Sequence, residues 1–212
     1  RQAFSIQPLL LGGNPFDTTC IYSLIHFLER KWGIYFPIGG TGSLVQAFKK
    51  LMAEEGIKIT TNSTIEKIEV KNKTIEGVII DSGRKVSADI IVSNADPMHM
   101  YSHMITTGDQ SITARVKQRL SKVSMGLYVL YFGTRRTYSN VAHHTIWMGA
   151  RYKELLKDIF DRKILADDFS LYLHRPTATD PSFAPAGCDS FYVLCPVPNL
   201  LGSVDWEIEG PL

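Results

Sequence analysis

With 212 residues, 44% of them hydrophobic and 21% charged, the chain has the composition of globular material able to bury a core. Its net charge of +2 argues neither for nor against nucleic acid, no Lys/Arg block of the usual kind is present, and no apolar run approaches the ~20 residues of a membrane span. Three cysteines, Cys20, Cys188 and Cys195, cannot all pair and form no C-x-x-C, which suits a reducing compartment and supplies no metal site.

The chain begins at Arg1 rather than Met and stops just after Asp205-Trp206-Glu207, where a helix is expected to start; both ends predict an internal piece of a longer protein. Residues 17 to 32 are expected to be helical, capped by Asp17 or Thr18, with Ile21, Leu24, Ile25 and Leu28 at helical spacing. A second helix is expected over 43–55, burying Leu44, Ala47, Phe48, Leu51 and Met52, with Gly56 as its stop. The period then changes. Short β-branched runs at 57–61, 64–70, 74–81 and 88–93 are separated by Asn62-Ser63, Lys71-Asn72-Lys73 and Asp81-Ser82-Gly83-Arg84, the pattern of a β-meander. Asn62-Ser63-Thr64 and Asn72-Lys73-Thr74 match glycosylation acceptors but serve here as turns. Ile90-Ile91-Val92 has no polar alternation and predicts a strand buried on both faces.

Further strands are expected at 127–132, 145–148, 169–174 and 191–195, with helices near 112–120 and over 151–162. Tyr152, Leu155, Leu156, Ile159 and Phe160 share one face of the last helix, and Arg151, Lys153, Lys157 and Arg162 lie elsewhere on it. That pattern fits either a membrane surface or a helix packed on a sheet, and Glu154, Asp158 and Asp161 dilute its positive charge. The class is α/β, with an α+β part that carries a mixed sheet.

The segment Pro37-Ile38-Gly39-Gly40-Thr41-Gly42-Ser43-Leu44 joins an apolar run to a helix, the place where a dinucleotide fingerprint would sit. It fails that test. Val45 occupies the third glycine position, and Ile57 and Ile59 lead into Thr60, Thr61 and Asn62 with no carboxylate for a ribose. The Gly-Lys-Ser/Thr of a P-loop is also missing. His143 and His144 are adjacent, so a strand would point them to opposite faces, and His99, His103 and His174 show no recognisable ligand spacing with them. No metal site is expected. His174 is a candidate polar group in a cavity wall, and His26 shares a solvated helix face with Tyr22 and Glu29.

Eight separated blocks, in fixed order, carry a resemblance that covers essentially the whole chain. They are Gly12-Gly13-Asn14-Pro15-Phe16, the stretch from Ile21-Tyr22 to Leu28-Glu29-Arg30, Phe36-Pro37 through Leu44-Val45, and Val92-Ser93-Asn94-Ala95-Asp96. Then come Leu130-Tyr131-Phe132-Gly133, Ala142-His143-His144-Thr145, Asp168 through His174, and Pro196-Val197-Pro198. In this the chain resembles the bacterial phytoene desaturases, FAD-dependent enzymes of carotenoid formation within the amine-oxidase-like flavoproteins.

The resemblance implies a Rossmann-type FAD domain interleaved with a substrate domain. Residues 1–56 and 98–212 would belong to the substrate domain and 57–97 to the FAD domain. The family's Gly-rich pyrophosphate fingerprint and its C-terminal flavin segment are not found in this sequence, so the chain would be well under half of the enzyme and inactive alone. Gly39, Gly40, Gly42 and Ser43 would form a wall of the substrate cavity beside the flavin, bare so that a flat polyene can pass; a plain helix N-terminal turn accounts for the same glycines. Ile65 would contact the adenine of FAD through its backbone, and core strand is the competing role. Asn94 and Ala95 would meet the cofactor at the end of the strand that precedes them. Asp96 before Pro97 is otherwise a plain turn.

The family's acid/base groups lie largely outside this region, so no catalytic residue is assigned. The implied reaction removes hydrogens from phytoene, an acyclic C40 carotene, on the way to lycopene-type products, with FAD as hydride acceptor. The implied setting is the bacterial cytoplasm, with peripheral attachment to a membrane. Rival assignments are a desaturase, isomerase or oxygenase acting on another acyclic carotene, and a non-catalytic module that binds an apolar ligand.

Overall fold

The computed structural model describes residues 2–81 and 83–210. Ser82, one residue of the expected turn at 81–84, lies outside the described residues. The chain divides into two compact units. One runs to Leu51 and resumes at Val123, and the other is Met52–Lys122.

The second unit carries a three-stranded antiparallel sheet in the order β1 (Ile65–Lys71), β2 (Thr74–Ile80), β3 (Arg84–Ser87). Asn72 and Lys73, both at positive φ (50° and 63°), make the tight turn between β1 and β2, whose mirror-image twist matches that of the strands. Ile68 and Ile80 are buried on this sheet, and Lys85 Nζ joins Glu69 (2.7 Å) and Glu76 (3.0 Å) across it. Gly77 lets β2 and β3 approach: it sits at φ +144°, and a Cβ there would lie 2.1 Å from the Val86 carbonyl oxygen. The obstacle is backbone and cannot swing away. Gly77→Ala is therefore expected to destabilise the unit by about 2 kcal/mol or more, read as a lower urea midpoint; an unchanged midpoint would show that the strands separate freely.

Two expected strands do not form. Residues 57–61 are extended without a ladder, and so is 88–93, where Ile90 is 79% and Val92 93% exposed. A strand apolar on both faces needs neighbours on both sides, and among the described residues the run makes one ladder-like bond, from the Ala88 N–H to the Glu76 carbonyl at 3.4 Å. The sheet is completed instead by Arg84–Ser87, which directly follows the turn. Asp96 does cap a short turn as expected, its Oδ1 accepting the His99 N–H at 2.9 Å.

The first unit carries a four-stranded sheet built from β4 (Gly126–Thr134), β5 (His144–Trp147), β6 (Leu171–His174) and β7 (Asp189–Val197), in the order β4-β7-β6-β5. Every pairing is antiparallel, so the α/β class holds but the sheet is not mixed. The reason lies between β5 and β6, where the helical segment 152–162 turns the chain back beside β5 instead of carrying it over in a parallel crossover.

That segment is an α-helix over Tyr152–Lys157 that widens to a π-helix over Asp158–Arg162. Its apolar face does not meet a membrane. Tyr152, Leu155, Leu156 and Ile159 form the centre of the core with Leu9, Met125 and Ala166, and Phe160 packs against them half-buried. Burying side chains of this size gains roughly 1.5–3 kcal/mol each, which settles the choice left open by the pattern. At its polar edge, buried Asp158 pairs with Arg151 (3.1 Å) and with Arg162.

Other helices include Ser23–Trp32, preceded by a 3-10 turn at Cys20–Tyr22, Gly40–Glu54, which starts three residues earlier than expected, and Ile112–Leu120, where it was expected. Among the described residues no helix is long and apolar enough to cross a membrane.

Candidate functional site

Three features of the first unit converge on one face of its sheet. Strand alternation and register place Leu127, Val129 and Tyr131 of β4 on the same side as Tyr192 and Leu194 of β7. Tyr172 and His174 of β6, and His144 and Ile146 of β5, continue that face. One end of the face is apolar, the other rich in histidine and tyrosine.

At the apolar end is a cavity of about 50 Å³ lined by Leu9, Leu127, Ile146, Met148, Leu171 and Leu194 among others, with Tyr172 on its rim. Such a space holds a few atoms, far less than the roughly 300–1,000 Å³ of a drug-sized ligand site.

At the other end, His143, His144 and His174 gather so closely that one ring nitrogen of each lies within 4.8 Å of the others. His143 Nε2 and His174 Nε2 are 2.6 Å apart, close enough for one to donate to the other. His143 Nδ1 meets Thr179 Oγ1 at 2.5 Å and His144 Nδ1 meets the Tyr172 hydroxyl at 2.6 Å. His174 is 8% exposed, and its Nδ1 is buried without a hydrogen-bond partner.

Burial, reinforced by mutual repulsion with His143 and His144, pushes the His174 pKa down to about 4. Burial also lowers those of His143 and His144. The three rings are thus held neutral near pH 7. Burial raises the Tyr172 hydroxyl pKa as well, with Tyr192 beside it adding to the shift.

Sequence spacing offers no reason to group these histidines, yet the fold brings them together. His143 precedes β5 rather than lying in it, so strand alternation does not separate it from His144. The pairing of His144 with His174 across β5 and β6 then closes the group. Once β5 and β6 are known to be antiparallel neighbours, their terminal histidines are the signal that would have found it.

The glycine segment touches this end. Gly39 N–H donates to Asp180 Oδ2 at 2.7 Å, and Ser43 Oγ donates to the Ile38 carbonyl at 2.8 Å. Gly40 is buried at φ +72° beneath Phe183, whose Cζ a Cβ would meet at 2.7 Å. Gly42 and Ser43 are exposed, and a Cβ on Gly42 would meet nothing within 4 Å. Phe36 joins the segment to the histidines, its ring edge-on to His143 (4.7 Å) and 5.9 Å from Phe183. Asp180 and Phe183 carry no local signal in the sequence, because Asp180 acts on a backbone group 141 residues away and Phe183 acts on Gly40 through ring packing.

The other candidates lie in the second unit. Ile65 opens β1, an edge strand, opposite Ile80. Asn94 and Ala95 are exposed, with Ala95 N–H donating to Ser93 Oγ at 3.2 Å.

The model of the flavin containing amine oxidoreductases matches residues 2–171. The phytoene desaturase (lycopene-forming) of Pantoea ananas is 46% identical over 212 residues, covering 100% of this chain and 43% of that protein. The lycopene-forming phytoene desaturase of Pseudescherichia vulneris is 48% identical, again across 100% of this chain and 43% of its own length. The neurosporene-forming enzyme of Rhodobacter capsulatus is 41% identical over 99% of the chain and 41% of its own. The chain therefore spans less than half the length of these relatives.

Among solved structures, an oxidoreductase from Methanosarcina mazei superposes with a TM-score of 0.66 at 17% identity, over 93% of this chain and 44% of that one, a likeness of fold alone. The resemblance carried by the eight sequence blocks is borne out. The chain belongs to the flavin containing amine oxidoreductase family.

Proposed function

We propose that the protein to which these residues belong is an FAD-dependent oxidoreductase that desaturates phytoene toward lycopene-type carotenoids. The observation that carries this is identity of 41–48% with phytoene desaturases along essentially the whole chain. A desaturase named for 4,4'-diapophytoene is also related but at 34%, so phytoene is the preferred substrate.

FAD would be held in part by the second unit, which we assign to the nucleotide-binding side. The residues fit the group: β1 is an edge strand, and Asn94 and Ala95 are exposed beside Ile90 and Val92, which are exposed too. FAD, when bound, supplies the hydride acceptor.

The first unit would hold the polyene. The 50 Å³ cavity is too small for it, so the chain of the substrate would lie along the sheet face, over Leu127, Val129, Leu194 and Ile146, which excludes water. Gly42 and Ser43 fit a wall beside it because both are open, whereas Gly40 is shaped by Phe183 and would act by fixing the loop.

Attachment to a membrane surface would fall to the helix Ser23–Trp32, where Leu24, Phe27 and Trp32 are exposed beside Arg30 and Lys31. Expression of the complete reading frame in bacteria that accumulate phytoene tests the proposal. Coloured products of longer conjugation are expected in the extracts and the protein is expected in the membrane fraction. Unchanged phytoene would overturn the substrate assignment.

A further inference from the structure

The histidine group at the polar end of the sheet has no task in desaturation as proposed above, and its geometry is unusual for one without a ligand. Three imidazoles approach from two strands and a preceding loop, each offering a nitrogen within 4.8 Å of the others, and no carboxylate or thiol is in the group. Two of the rings are oriented from behind. Thr179 holds Nδ1 of His143, and the Tyr172 hydroxyl holds Nδ1 of His144, which turns Nε2 of His143 toward Nε2 of His174 at 2.6 Å and leaves Nε2 of His144 for a ligand. Outer partners of this kind fix the ring orientation of metal-bound histidines.

The third ring is the least satisfied. His174 is buried, and besides the nitrogen facing His143 it has a second, Nδ1, with no hydrogen-bond partner. An unpaired buried polar atom is costly, so His174 is the ring of the three with a nitrogen still to satisfy.

We propose that His143, His144 and His174 form a three-imidazole site for a borderline divalent transition cation of the Zn²⁺ type. Imidazole nitrogen suits such cations, and three protein ligands leave a fourth position open. His144 is exposed, so solvent reaches that position. Coordination at about 2.0–2.1 Å needs only a small opening of the facing nitrogens, now 2.6 Å apart. The cation would tie the end of β6 to the start of β5 and the residue before it.

The test uses the protein purified from its complete reading frame, stripped with a chelator and titrated with Co²⁺ alone and then with Zn²⁺. One equivalent of Co²⁺ should bind and develop the visible absorption of a low-coordinate nitrogen site, and Zn²⁺ should displace it. His143→Gln and His144→Gln should each weaken binding at least ~10-fold. The exposed His144 is the variant least able to disturb folding, and circular dichroism verifies that it is folded. Absence of stoichiometric binding would overturn the proposal and leave a hydrogen-bonded histidine stack. Binding that survives both substitutions would overturn it too, because the metal would then sit elsewhere.

Discussion

Asp189→Ala is expected to lose about 3–5 kcal/mol of stability, because it leaves a buried guanidinium without its counter-ion. Asp189, 3% exposed, opens β7 and accepts from Arg175 Nη1 (3.1 Å), the Tyr138 N–H (2.7 Å) and Thr177 Oγ1 (2.5 Å). Arg175 is buried too and also donates to the Tyr138 carbonyl at 2.7 Å, so one carboxylate organises β7, the end of β6 and the loop after β4. The double variant with Arg175→Leu should recover part of the loss, since no charge is then stranded.

The same site sets an acid limit. Burial pushes the Asp189 carboxyl up, but donation from Thr177, Tyr138 and Arg175 outweighs it and the pKa is lowered. A group whose folded pKa is depressed adds stability above its unfolded value, about 3.9, and loses it as pH falls through the folded value. The parent protein should therefore lose this contribution below about pH 4, and the Ala variant should fall less steeply there. Urea midpoints taken across that range measure both effects. An Ala variant with the parent's midpoint at neutral pH would show that the network adds nothing.

Leu156→Ala is expected to cost about 2–5 kcal/mol. Leu156 is fully buried at the centre of the core, between Leu155 and the residues Leu9, Met125 and Ile159 that close around the helix. Removing three carbons there loses their transfer free energy and leaves a void that a close-packed interior fills only in part. Leu156→Met, which keeps the volume, should cost less than about 1.5 kcal/mol. Denaturant unfolding with an unchanged slope but a lower midpoint is the expected signature. A mild effect from Ala would place this helix at the surface, where the charges on its other face would allow it to be read.

That helix shows what periodicity could and could not supply. The spacing of Tyr152, Leu155, Leu156 and Ile159 fixed one apolar face, and every one of them is buried. The spacing alone did not say whether lipid or protein covers it. Leu9 and Met125 decide that, and they come from distant parts of the chain.

The β-meander was legible because its turns are written in Asn72-Lys73 and Asp81, residues that accept positive φ. The run 88–93 was misread for the opposite reason. Its composition reports the environment of a central strand, but a ladder needs partners, and composition cannot show whether these are at hand. At the site, the glycines were visible as a segment, whereas the groups that shape them were not. Asp180 reaches Gly39 through loop closure, and the histidines meet one another through β pairing, contacts that carry no local period.

Gly40 lies under Phe183 so closely that neither position is free to drift by itself. In any lineage that carries this loop, a larger residue at 40 would meet both the ring at 183 and a backbone φ of +72°, so losing the ring removes only one of two reasons for a glycine at 40. The two sites, 143 residues apart, should thus be linked in one direction, with glycine kept at 40 wherever an aromatic ring is kept at 183, a record of the fold that sets of homologous sequences would display without any structure.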